Sequence, residues 1–157
     1  MAFKLKDLAL PEAKLNERMV WVNFKGCEFQ IRYISKATLQ AIAESCKVAV
    51  FDPKKGGRSV TLEPDKFVAG LANAIVKNWN KVTPRTLTTL YPMDLSGLSE
   101  EEKDKPIEFN SDNLLEVLLK ANSLDDFLQE CATEAGLFRI EAEKSLEKNS
   151  STSQSIT

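Results

Sequence analysis

Histidine is absent from all 157 residues. The commonest general base and the commonest zinc ligand are removed together. Cysteine is scarce: Cys27, Cys46 and Cys131 are odd in number, widely spaced and set in apolar patterns. Neither a CxxC metal site nor a disulfide framework is expected, and all three read as buried thiols of the core. No run reaches the ~18 apolar residues of a membrane span. The stretch Met1 to Leu10 has no apolar block and small-residue cleavage site of a secretory signal, so the expectation is a cytoplasmic protein with no membrane partner. What remains is an ordinary globular balance, 43% hydrophobic and 28% charged. A domain of this length buries roughly 68–70% of its unfolded surface, enough to fold without disulfide or metal.

The net charge of −2 conceals a separation along the chain. Residues 1–86 carry 15 Lys and Arg against 8 Asp and Glu, a net of +7, whereas residues 87–157 carry 6 against 15, a net of −9. Such a field can fold one half onto the other, steer copies into head-to-tail contact, or show separate faces to different partners. Two ordinary solvated faces are the plain alternative.

The patterning predicts an α+β fold: an N-terminal β-hairpin packed by helices, and a mostly helical C-terminal half. Ala2 to Leu10 reads as an arm or short helical turn ended by Pro11. Met19 to Phe24 and Cys27 to Tyr33 read as two strands joined at Lys25-Gly26. In the second, Cys27, Phe29, Ile31 and Tyr33 alternate with Glu28, Gln30 and Arg32, so one face needs cover. Ser35 is a candidate N-cap, and Leu39, Ile42, Ala43 and Cys46 follow at helical spacing, which suggests a helix covering the hairpin. Asp52 to Arg58 is a breaker-rich surface loop, with a short strand at Ser59 to Leu62. Phe67, Val68, Leu71, Ile75 and Trp79 predict a core-facing helix from Pro64 to Trp79. Thr83-Pro84 opens a short helix to Leu90. An acidic linker or exposed helical turn spans about residues 96–106. Asn110 and Ser111 precede one C-terminal helix, and Ser123, Asp125 and Asp126 open another with the stripe Leu124, Phe127, Leu128, Cys131, Ala135 and Phe138. The expected organisation is one domain over residues 1–143 and a disordered polar tail over 144–157.

A search for chemistry finds no catalytic, cofactor-binding or metal-binding set. Asp125 and Asp126 point about 100° apart on a helix and do not converge. Cys27 has no histidine to take its proton. The loop Lys54-Lys55-Gly56-Gly57-Arg58 lacks P-loop spacing, and without aromatic interleaving it makes nucleic acid a weak candidate partner. Trp21 and Trp79 read as core or interface anchors.

Three segments, in order, carry a resemblance. Gly26-Cys27-Glu28-Phe29-Gln30-Ile31-Arg32-Tyr33-Ile34-Ser35-Lys36 resembles the N-terminal hairpin and helix start of bacteriophage tail assembly chaperones. Ile75-Val76-Lys77-Asn78-Trp79-Asn80 resembles the end of their valine-tryptophan helix. Pro106-Ile107-Glu108-Phe109-Asn110-Ser111-Asp112-Asn113-Leu114-Leu115 resembles the entry to their C-terminal helices. The stretch Thr83 to Lys105 departs from that family by being longer than its usual turn. The resemblance implies a non-enzymatic phage or prophage protein, a homo-oligomer, that binds the tape measure protein and works beside the tail tube protein during virion assembly. Trp21, Phe29, Tyr33, Leu114, Leu118, Phe127 and Leu128 are the candidate partner contacts. Such families often add a longer product by ribosomal frameshifting, and Glu147-Lys148-Asn149 admits a slippery codon run. The rival reading is a virion structural adaptor or nucleic-acid-binding protein that uses the basic half.

Overall fold

The computed structural model describes residues 4–139; the predicted tail over 144–157 lies outside them. Strands β1 (Met19–Phe24) and β2 (Cys27–Arg32) pair in antiparallel register from Met19–Arg32 to Phe24–Cys27. The two-residue turn requires positive φ at both positions. Lys25 has φ 51° and Gly26 has φ 93°, the pattern whose twist matches the flanking strands. Asn23 Oδ1 accepts from the Gly26 N–H at 3.2 Å and closes the turn.

After two short N-terminal helical turns, α1 (Leu5–Leu8) and α2 (Glu12–Leu15), and the hairpin, α3 spans Lys36–Ser45. Ser35 caps it as expected, its Oγ accepting from the Thr38 N–H. Glu12 reinforces that cap by accepting from the Ser35 N–H at 3.0 Å, the Ser35 hydroxyl at 2.9 Å and the Thr38 hydroxyl. These bonds, the Ser35 N–H first, hold the Glu12 carboxyl below its usual range. The expectation that this helix covers the hairpin is not met. No residue of α3 is buried, and the helix leans on α4 (Pro64–Ile75). The absence of a side chain at Gly70 permits the close approach, because a Cβ there would lie 2.8 Å from Ile42 Cγ2.

The predicted helix over Pro64 to Trp79 stops at Ile75. Its continuation, Val76–Asn80, is strand β5, antiparallel to β2 with Phe29 opposite Trp79 and Ile31 opposite Val76. The sheet order is β1-β2-β5. The alternation read in β2 is met: Cys27, Phe29 and Ile31 are buried and their neighbours half-buried. Their cover comes from α4 and from α8 (Leu124–Ala132), with α7 (Ser111–Lys120) packed against α4. Val68, Leu71, Ala72 and Ile75 of α4, Leu114, Val117 and Leu118 of α7, and Leu124, Leu128 and Ala132 of α8 join the sheet in one core. Burying a side chain such as Phe29 contributes about 1.5–3 kcal/mol. The Ile34 N–H donates to the Ala132 carbonyl at 3.0 Å, tying the end of the hairpin to the end of α8.

Between β5 and α7 the chain is fastened at several points. Thr83 and Thr86 form a capping box on α5 (Pro84–Leu87), as the Thr83-Pro84 pair predicts. The Trp79 indole N–H donates to the Ile107 carbonyl at 2.9 Å, and the Phe109 ring stands edge-on to Trp79. The acidic segment forms an exposed helical turn, α6 (Glu100–Lys103), capped reciprocally by Ser99 and Glu102. Arg85 grips both its ends, with Nε on Asp104 at 2.7 Å and Nη2 on Glu100 at 2.8 Å. Bonds from Lys103 and then Arg85 bring the Glu100 carboxyl down to about 2.

Asn110 caps α7 through the Asn113 N–H at 2.8 Å. Ser123 occupies the corresponding position before α8 but makes no side-chain cap, because its backbone is left-handed at φ 66°. Asp125 and Asp126 lie in the first turn of α8, where the helix dipole favours carboxylates.

The segment read as loop and single strand is a second hairpin. Strand β3 (Lys47–Asp52) pairs antiparallel with β4 (Gly57–Leu62) around a 3₁₀ turn at Pro53–Lys55. The two strands form a sheet of their own, and none of their described apolar residues belongs to the core or packs against it.

Candidate functional site

The seven residues named from sequence divide by burial. Phe29, Leu114, Leu118 and Leu128 are core residues with almost no exposed surface, so they hold the fold together and offer nothing to a partner. Periodicity selects large apolar residues on one face, and that face is the one that goes inside. Phe127 is half-buried, its ring centroid 5.0 Å from that of Phe24. Tyr33 is half-buried and stands edge-on to the buried Phe138 at 5.6 Å.

Trp21 alone among the seven is openly displayed, at 45% exposure, so the core reading fails for it and holds for Trp79. It lies on the outer face of β1 opposite Gln30, which in turn lies opposite Asn78. With the exposed Met19 it forms an apolar spot on an otherwise polar face.

Two of the three thiols, Cys27 and Cys131, are unsuited to nucleophilic attack. Cys27 is fully buried, and desolvation pushes its pKa up despite a bond with Thr86. Cys131 is half-buried and is likewise pushed up by burial, with Glu130 adding to the effect. A nucleophilic cysteine needs the opposite shift. Among the described residues no group of three His, Cys, Asp or Glu side chains is placed to hold a metal ion, and no helix is long and apolar enough to cross a membrane. Between α4, α7 and α8 the packing leaves about 10 Å³, room for at most one water.

Two surfaces stand out instead. The first is an open groove of about 520 Å³ between the N-terminal segment and the last helical residues. Leu8, Ala9, Leu10 and Leu15 line it from the N-terminal segment, together with Tyr33 and with Ala135, Gly136 and Arg139 from the last helical residues. Leu5, Leu8 and Leu10 are strongly exposed beside it. Sequence patterning marked Leu8 and Leu10 only as parts of an arm and Ala135 only as part of a stripe. Their meeting depends on the Ile34–Ala132 tie, which has no local signal.

The second surface is the β3–β4 hairpin. Phe51 is 71% and Val60 68% exposed, with Val50 and Leu62 also open. The β-branched run Lys47-Val48-Ala49-Val50-Phe51 was its available signal. No family model, no curated protein and no solved structure matches this chain.

Proposed function

We propose that the protein is a tail assembly chaperone of a phage or prophage, which binds an apolar helix of the tape measure protein reversibly and without catalysis. The reading rests on the ordered resemblance of the three sequence segments, although the second, Ile75 to Asn80, forms strand β5 here and not the helix end that the resemblance implies. The observation that carries it is the open, mainly apolar groove lined by Leu8, Ala9, Leu10, Leu15, Tyr33, Ala135, Gly136 and Arg139. A soluble monomer seldom leaves large apolar surface open unless a partner covers it. An apolar stripe of leucine-sized side chains, read at positions i, i+3, i+4 and i+7, suits such a groove. A long helix offers that stripe repeatedly, and the opposed charges of the two halves favour several copies aligning on it.

Co-expression with the tape measure protein, followed by size-exclusion chromatography with light scattering, tests the reading. A soluble complex containing several copies of this chain is the expected outcome. Loss of that complex with Leu10→Glu or Ala135→Glu, at unchanged unfolding midpoint, locates the contact in the groove. A tape measure protein that aggregates regardless, with a longer frameshifted product also supplied, removes the proposal.

A further inference from the structure

Most described side chains of the β3–β4 hairpin are exposed, with Val48 and Ser59 half-buried, and none of its described apolar residues joins the core. Register and alternation place Ala49, Phe51, Val60 and Leu62 on one face, with Ala49 directly opposite Val60. An isolated two-stranded hairpin is marginal in water, and an open apolar face of this kind marks a contact surface. Its charge indicates what covers it. Residues 47–62 contain Lys47, Lys54, Lys55 and Arg58 against Asp52 alone, a net of +3, and within the copy Lys47 pairs with Glu44 at 2.6 Å, which lowers the local excess to +2. Two such hairpins placed face to face would repel.

The complementary charge lies on the same chain. Helices α7 and α8 carry Asp112, Glu116, Asp125, Asp126 and Glu130 against Lys120, a net of −4. The ion pairs among the described residues engage Glu28, Glu44, Glu63, Glu100 and Asp104, and none of these five helical carboxylates. Leu119, 41% exposed, adds an apolar contact point on α7.

We propose that the β3–β4 hairpin of one copy docks on the exposed carboxylates of α7 and α8 of a second copy, Asp112, Glu116, Asp126 and Glu130. The inference deepens the self-association within the proposed function and rests on that reading. Because donor and receiver surfaces differ, one copy of a pair keeps its receiving surface free and the other keeps its hairpin, so addition continues head to tail, to a ring where the rotation closes and to a filament where it does not. A face of four apolar side chains falls well below the ~800 Å² per partner of a stable complex. The contact is therefore reversible and depends on its charges.

Light scattering on the full chain over a hundredfold concentration range tests this at low salt and at 1 M salt, where the Debye length falls to about 3 Å. Mass rising with concentration at low salt and returning to the monomer at high salt is expected. The double variant Phe51→Asp, Val60→Asp should weaken association by at least tenfold at an unchanged unfolding midpoint. Lys47→Glu with Lys54→Glu should weaken it similarly, and mixing that variant with Glu116→Lys, Glu130→Lys chains should restore it. A wild type that stays monomeric overturns the proposal, as do an aspartate double variant that associates normally and a charge-reversed mixture that fails to recover. A monomer that binds duplex DNA through the hairpin would overturn it in favour of the nucleic-acid reading. A monomer that still solubilises the tape measure protein would overturn the docking and leave the chaperone reading standing. Self-association through the hairpin without tape measure binding would do the reverse.

Discussion

The described residues form two antiparallel hairpins with strands of six residues each, β1–β2 and β3–β4, and the rest of the described molecule treats them oppositely. The first alternates apolar with polar residues, gains a third strand in β5 and is roofed by α4 and α8. Among the described residues the second carries apolar side chains on both faces, pairs with no third strand and meets no roof. Comparable β-propensity thus leads to the centre of a core in one case and to an isolated projection in the other. Local preference makes a hairpin, and only a covering element makes it a stable one.

Truncating each hairpin at an aromatic residue gives the widest contrast. Phe29→Ala, at a fully buried position, should cost about 3–5 kcal/mol. Phe51→Ala should stay within about 0.5 kcal/mol. Urea unfolding of both variants measures the difference, and equal costs would mean that the second hairpin is covered within the monomer. The next effect belongs to Trp79→Phe, which keeps much of the ring packing but leaves the Ile107 carbonyl without its indole donor. A loss of about 1–3 kcal/mol is expected.

Smaller is Glu12→Gln, at about 1 kcal/mol, since the bonds around Ser35 are charge-assisted but only half-buried. The sign follows from the lowered folded pKa. A carboxyl bound more tightly as its anion stabilises the fold above its ordinary value of 4.5, and this is lost as pH falls below that value. The gap in unfolding midpoint between wild type and Glu12→Gln should therefore shrink on acidification. Least visible globally is Gly56→Ala, at φ 73° in the second turn. Its strain of about 1–2 kcal/mol falls on the β3–β4 hairpin alone. Amide exchange should quicken in β3 and β4, while β1 and β2 keep wild-type rates.

The α+β class, the first hairpin with its turn, the caps at Ser35, Thr83 and Asn110, and the two C-terminal helices were legible from local pattern. Strand β5 was not. Ile75 and Trp79 continue a four-residue row, so the helical period runs unbroken into a strand. Val76 turns extended because Ile31 offers it a ladder partner, a contact across more than forty residues of chain. Strand β3 escaped notice for a different reason. Lys47-Val48-Ala49-Val50-Phe51 does not alternate, since neither face is buried and nothing enforces a period of two. Contact residues were the least legible. Pattern ranks side chains by their fitness for the interior, and a contact surface consists of apolar residues that the interior leaves over, such as Trp21, Leu10 and Phe51.

The packing of Tyr33 against Phe138 also has a consequence for biosynthesis. The ribosome emits the sheet's central strand first and the final core residue about a hundred positions later. At about 5–20 residues per second, the nascent hairpin waits roughly 5–20 s for its last cover. Through that interval α4 can already cover Cys27, Phe29 and Ile31, whereas the share of their cover that comes from α8 is still missing.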